Sequence, residues 1–318
     1  MSTDSITNIN FIRIHSNFKL SIILPCYNKG EFLERAFKSC IDDQELTKYQ
    51  INLEIICVDD GSLDDTFETF NKMKNKYKGS NCDIQIFRLK KNRGALYAKR
   101  YAIQKAKGDY IMFLDADDEF MPGIIHRIYV LLENRKEIDC IQFRLLKLNA
   151  TFEKNRLQTY SSYTYEVFTY GEYPFHMMKS ITLNDPIEKV KYSIIDDYIK
   201  NNGNEIDQMK DHARLIKKKD LNAMLPKFKM MWNLPCLAIK RTIVVNALNA
   251  TQFNYNVKIS IYEDLLIAYS SFFFSEKVYF LDEIGYIYYK GAKHIKRVHR
   301  GRIVHNLLNN LYKTKRKL

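Results

Sequence analysis

The chain has 318 residues, 46% hydrophobic and 27% charged, a globular balance with room for one large α/β domain plus an appendage. Its formal net charge is +13, and it contains no run of 18 apolar residues, so it is not expected to span a membrane. The six cysteines (26, 40, 57, 82, 140 and 236) form no CxxC pair and no metal-binding spacing, which points to reduced, buried thiols in a cytoplasmic protein.

In chain order, residues 1–18 read as a polar leader without the apolar stretch of a signal peptide. Lys19 to Leu24 is a strong strand signal ended by Pro25, and Tyr27-Asn28-Lys29-Gly30 is a loop. Glu31 to Asp42 has helical periodicity through Phe32, Leu33, Ala36, Phe37 and Cys40. A second strand, Leu53 to Val58, runs into Asp59-Asp60-Gly61-Ser62. From Ser62, with Asp64 and Asp65 in the first turn, a helix is expected towards Tyr77. Ile84 to Leu89 is a third strand, Asn92-Arg93-Gly94 a turn, and Ala95 to Lys107 a helix. Tyr110 to Leu114 is a fourth strand, entered through Gly108-Asp109. This alternation predicts an α/β fold with a doubly wound, mostly parallel sheet, whose ligands bind outside the strand C-terminal ends.

Three carboxylates follow the fourth strand within four positions: Asp115, Asp117 and Asp118. Side-chain direction repeats every second residue, so Asp115 and Asp117 can reach one hard cation together, while Asp118 points away unless the backbone turns. Oxygen-only ligation with positions left for a substrate's phosphates suits Mg2+ or Mn2+. An acidic turn capping the next helix is the alternative. Asp59, Asp60, Asn92, Arg93, Asp115 and Asp117 all fall at strand C-terminal ends, which favours a binding site. No GxGxxG follows the first strand and no Walker loop exists, so a dinucleotide fold is excluded and no Gly-rich turn cradles phosphate. Asp60 can accept from the N3–H of a uracil or cap a helix; two adjacent acids leave one for each role.

Five stretches in order resemble the motifs of family 2 glycosyltransferases with the GT-A fold. They are Ser21 to Asn28, Val58 to Ser62, Asn92 to Gly94, Lys107 to Tyr110, and Leu114 to Asp118. The likeness covers roughly residues 19–145, the nucleotide-sugar-binding half. It implies an inverting transferase that uses a nucleotide-diphosphate sugar, with UDP-Gal, UDP-GalNAc and UDP-Glc all fitting. It also implies that the Pro25 and Tyr27 loop lies against the base and that Asp60 binds the base edge. Asp59, Asn92, Arg93 and Gly94 join this donor-facing set. Asp115-Ala116-Asp117 is similar to the family's DxD motif, the first Asp facing the ribose side and the last ligating the metal. Arg100-Tyr101 departs from the Arg-Asn of many relatives.

The second half is less patterned. Residues 146–228 read as an insertion or acceptor-facing region with broken helical periodicity (Ile194, Ile195, Tyr198, Ile199). Residues 229–295 complete the catalytic domain. Trp232 is the single Trp; it reads as core, or, by the resemblance, as a border of the donor sugar. Glu263-Asp264 precedes an apolar helix, Leu265 to Phe274. Adjacent acids there can be dipole partners of the helix N-terminus. The pair also resembles the family's ED motif, which makes Asp264 the base that deprotonates the acceptor hydroxyl and Glu263 its support. Tyr286 to His294 resembles a Tyr-rich strand followed by a basic loop. There His294 and Lys290 either meet the leaving diphosphate or form a solvated surface.

After Glu283 there is no acidic residue, while ten Lys and Arg follow. The tail, 296–318, with Ile303, Val304, Leu307, Leu308 and Leu311 at helical spacing, can lie on an anionic membrane surface or form a solvated helical face. Nucleic acid is the third option, but no zinc, RNA-binding or helix-turn-helix pattern supports it. Location is therefore expected in the cytoplasm, peripheral on the inner face of the membrane where the tail binds lipid. The expected substrates are a UDP-sugar and a glycan or glycolipid acceptor of the bacterial surface-glycan or lipooligosaccharide type. The competing readings are a nucleotidyltransferase acting on a sugar phosphate and a non-catalytic membrane-surface binding module.

Overall fold

A computed structural model describes residues 18–41, 51–152, 160–168, 179–181, 215–217, 234–251 and 263–290. The first half alternates as its periodicity requires: β1 (Leu20–Cys26), α1 (Leu33–Ile41), β2 (Leu53–Asp59), α2 (Thr66–Lys76), β3 (Cys82–Arg88), α3 (Ala95–Lys105) and β4 (Tyr110–Phe113). Then come β5 (Glu119–Phe120), α4 (Ile124–Asn134), β6 (Cys140–Phe152), β7 (Tyr160–Phe168), β8 (Lys179–Ile181) and β9 (Leu215–Lys217). The described chain closes with β10 (Leu237–Lys240), α5 (Arg241–Ala250), α6 (Glu263–Phe274) and β11 (Lys277–Lys290). One sheet runs β3-β2-β1-β4-β10-β6-β11-β5. β1 to β4 are mutually parallel, β10 is antiparallel to both its neighbours, and β11 returns parallel to β6.

Strand residues alternate between two cores, because successive side chains leave opposite faces of the sheet. Leu20, Ile22, Leu24, Ile55, Cys57 and Met112 pack with α1, α2 and α4. Ile23, Ile56, Val58, Ile111 and Phe113 pack with α3, α5 and α6. Burial on both faces explains why these strands are near-continuous apolar runs. All six cysteines are free thiols; burial pushes even the partly covered Cys82 up to about 12.

Two element ends differ from expectation. β1 does not stop before Pro25 but runs through it, Pro25 pairing with Val58. β1 pairs with β4 only as far as Ile23, so the proline's missing N–H falls beyond that ladder. The second helix begins at Thr66 rather than Ser62. Asp64 explains the delay: its carboxylate accepts from Thr66 N (3.1 Å), Thr66 Oγ1 (2.5 Å) and Gly30 N (3.2 Å), so this segment is held as a turn instead of winding. The other bounds of the first half move by two residues at most, whereas β11 begins at Lys277, well before the expected Tyr286. Most of 146–233 and all of the tail lie outside the described residues, and with them the expected helical acceptor region.

Glu54 is the single acid in β2 before its last residue, and it is fully buried. It accepts from Ser21 Oγ (2.6 Å), Lys107 N (2.6 Å) and Gly108 N (2.9 Å), with Lys19 Nζ 3.5 Å away. One carboxylate thus ties β1, β2 and the turn that launches β4. Gly108 is required by close approach: a Cβ there would collide with Ser21 Oγ and stand 2.7 Å from Ser21 N. Gly108→Ala is expected to lose about 1–3 kcal/mol of stability, as other overpacked sites do, read as a lower urea midpoint; an unchanged midpoint would contradict this packing.

Candidate functional site

The ends of β1 and β2 are knitted into one rim. Asn28 takes a left-handed φ of 53°, which its side chain tolerates better than most. Its amide donates to Ser62 Oγ (2.9 Å), and its own Oδ1 accepts from Leu63 N (2.9 Å). Pro25 and Tyr27 stand half-buried on this rim. Of the adjacent acids, Asp59 is fully buried, accepts from Ser62 N (2.8 Å) and lies 3.1 Å from Arg88 Nε. Asp60 accepts from Arg93 N (2.7 Å) and Gly94 N (2.8 Å), placing its charge at the α3 N-terminus, where the helix dipole favours it. Asn92 adds a buried Oδ1 with no hydrogen-bond partner among the described residues. The Arg93 guanidinium stacks 4.2 Å over Tyr97.

The acids after β4 divide their partners. Asp117 Oδ2 holds Lys29 Nζ at 2.7 Å, and the Asp117 carbonyl accepts from Arg35 Nη2 (2.6 Å). Asp118 turns to β11, accepting from Tyr286 Oη (2.8 Å) and Tyr289 N (3.0 Å); burial holds its carboxyl well above the usual range. The same Tyr286 oxygen accepts from Asp115 N (3.2 Å). Ala116 packs its side chain into the core, leaving its backbone on the loop.

Lys99 is the hub. Its side chain is 2% exposed, and its ammonium bonds Asp264 Oδ1 while lying 3.6 Å from both Asp115 Oδ1 and Glu263 Oε1. Burial alone would lower its pKa; the three carboxylates outweigh that and hold it above the ordinary lysine value. Burial pushes Asp115 up to about 6, with Asp264 and Asp117 adding and Lys99 opposing. Burial also raises Asp264, whose side chain still keeps 30% of its surface open. The acid pair of α6 and the first acid after β4 therefore meet on α3. Asp60 caps the same helix, about 7.5 Å up the axis by helical rise.

Sequence reading missed Lys99 and singled out Arg100 next to it. A signal existed: Leu96, Lys99 and Ile103 share one α3 stripe, with Leu96 and Ile103 buried, so a lysine in that stripe demands acids from elsewhere. Lys29 and Arg35 were also missed as partners of Asp117. Trp232 and His294 lie outside the described residues; Lys290 closes β11, its backbone paired with Asn149.

For a divalent cation, the described residues offer two hard carboxylates, Asp115 and Asp117, and no three His, Cys, Asp or Glu side chains converge as a ready-made metal site. The fit is one of chemistry. Two carboxylates leave positions that diphosphate oxygens fill, the usual arrangement for Mg2+, and a cationic group already sits at Asp117. Among the described residues no helix is long and apolar enough to cross a membrane.

The mostly parallel sheet, wound on both faces and with acids gathered at its strand ends, matches the GT-A architecture. The solved structure of S. aureus TarS 1-349 in complex with UDP-GlcNAc shares it, with a TM-score of 0.56 at 15% identity over 92% of this chain and 65% of that one. The model of glycosyl transferase family 2 matches residues 21–196, more than half of the chain, and the chain belongs to that family. An uncharacterized glycosyltransferase of Haemophilus influenzae is 38% identical over 99 residues, 31% of this chain and 36% of that one. The poly(ribitol-phosphate) beta-glucosyltransferase of Bacillus spizizenii is 36% identical over 122 residues, 38% of this chain and 18% of that one. The poly(ribitol-phosphate) beta-N-acetylglucosaminyltransferase TarP of Staphylococcus aureus is 38% identical over 112 residues, 35% of this chain and 32% of that one. The aligned segment thus spans 36% or less of these curated relatives.

Proposed function

We propose that this chain transfers a hexose or N-acetylhexosamine, with inversion, from a UDP-sugar to a hydroxyl of a glycan or glycolipid acceptor. The observation that carries this reading is the meeting of Asp115, Glu263 and Asp264 on the buried Lys99 ammonium. It brings Asp264, read as the base, to the same ammonium as Asp115, read as the donor-side acid. The UDP-GlcNAc bound to TarS supports a UDP-sugar as the donor class, and the poly(ribitol-phosphate) relatives support a surface polymer as acceptor. Lipooligosaccharide is a second acceptor of the same kind. The basic tail is assigned to an anionic membrane surface on its charge alone.

Lys99 holds Asp264 by Oδ1, leaving Oδ2 for the acceptor's proton. The acceptor oxygen attacks C1 of the sugar from the side opposite the diphosphate, its proton passes to Asp264, and the C1–O bond to the diphosphate breaks, releasing UDP. Glu263 and Asp115 fix the ammonium that fixes the base. Asp115 and Asp117 would hold Mg2+ or Mn2+, which when bound neutralises charge gathering on the departing diphosphate. The resting diphosphate is a good leaving group, so the two-carboxylate scheme of glycoside hydrolysis is not required.

The test is a panel of nucleotide sugars with and without Mn2+, scored by release of UDP and by thermal protection. UDP with Mn2+ is expected to raise the melting temperature, whereas NAD is not. Asp117→Ala is expected to abolish transfer and the metal-dependent part of that protection. Release of pyrophosphate instead of UDP would indicate nucleotidyl transfer, and full turnover by Asp117→Ala would remove Asp117 from the site.

A further inference from the structure

Lys29 stands in the loop after β1, its backbone amide anchored to Thr66 Oγ1 at 3.1 Å. Its ammonium reaches across to Asp117 Oδ2 at 2.7 Å, and the two side chains are only 15% and 18% exposed. The Phe32 ring centroid lies 5.2 Å from the ammonium, a cation–π contact on the same side. Nothing in the transfer chemistry above uses this lysine, yet it holds the carboxylate assigned to the metal.

We infer that Lys29 is a tethered cation that keeps Asp117 from binding a divalent ion until a nucleoside diphosphate arrives. The inference rests on the reading of Asp117 as a metal seat. An ammonium and a divalent ion compete for the same hard oxygen, and their like charges repel when both approach it in a partly enclosed place. The ion must therefore displace Lys29 from Asp117. On the bare protein the displaced ammonium gives up its bond to the Asp117 carboxylate. With a diphosphate present it gains another, because its anchored backbone keeps it beside the anion. Metal and nucleotide affinities are then coupled, and the coupling works equally in both directions. The acid loop itself does not depend on Lys29, since Arg35 Nη2 holds the Asp117 carbonyl from the same side at 2.6 Å.

The experiment titrates Mn2+ into the full chain without nucleotide, following the free-ion signal by electron paramagnetic resonance. Wild type, Lys29→Met, Lys29→Gln and Asp117→Asn are compared, with circular dichroism melts to show that each is folded. Removing the ammonium is expected to tighten binding of Mn2+ alone about tenfold or more, within the range of typical site-to-site coupling, and Asp117→Asn to abolish it. Equal or weaker binding by both Lys29 variants, with Asp117→Asn still inactive towards Mn2+, overturns the role of Lys29 and leaves the metal seat standing. Unchanged Mn2+ binding by Asp117→Asn overturns the metal seat and the inference together.

Discussion

Asp264→Asn is expected to reduce sugar transfer by about 10²–10⁴-fold, the usual contribution of a positioned general base, while leaving donor binding nearly unchanged. The substitution keeps the shape of the side chain and an oxygen that can still accept from Lys99. What it removes is the capacity to take a proton. Burial raises the pKa of the wild-type carboxyl and the Lys99 ammonium opposes that rise, so both neighbours act on the group read as the base. The measurement is kcat on the true acceptor beside a UDP titration by calorimetry. A loss of UDP affinity as large as the loss of kcat would assign Asp264 to donor binding, and undiminished kcat would leave it as a helix-terminal acid and nothing more.

Lys99→Met is expected to damage stability most. Methionine matches the length of the lysine stem but strands Asp115, Glu263 and Asp264 around an apolar tip. Removing one partner from a buried ionic cluster costs about 3–5 kcal/mol, which for a domain of this size lowers the melting temperature by roughly 10 °C. Transfer should fall with it, because Asp264 loses the group that orients it. Lys99→Arg keeps the charge and is expected to recover most of the stability but less of the turnover, since the planar guanidinium presents its donors differently. A Lys99→Met melt within 2 °C of wild type would show that the ammonium is not what binds these acids together.

The same two residues mark how far the chain could be read without its fold. Asp264 was legible because an acid pair ahead of an apolar helix is a local pattern, and because it resembles a family motif. Lys99 was not, although it sits in a helix whose existence was clear. Its importance depends on three acids that reach it from other elements, one of them separated by 165 positions in the chain. The rim around Asp60 was likewise half legible. The two adjacent acids were expected to serve one as a cap and one at a base edge, and the structure engages both with protein donors. That Asp60 latches the start of α3, while Asp59 is spent on Ser62 and Arg88, follows from how β2 and β3 align.

Strand ends show the same limit at smaller scale. Pro25 marks the end of an isolated strand by its own chemistry, yet β1 continues to Cys26 because β4 has already parted from that side of it. Asp64 favours a helix start by its type, yet its bonds to Gly30 and Thr66 move the start to Thr66.

By itself the sequence determined the βα alternation, the two-sided burial of the strands and the placing of acids at their C-terminal ends. These rest on side-chain periods of two and 3.6 residues, which operate over a few neighbours. Only the tertiary structure decided which cation meets which carboxylate: Lys99 with Asp115, Glu263 and Asp264, and Lys29 with Asp117. Charge pairs form wherever the packed sheet and helices carry their side chains within reach, and no local rule of the chain encodes that distance.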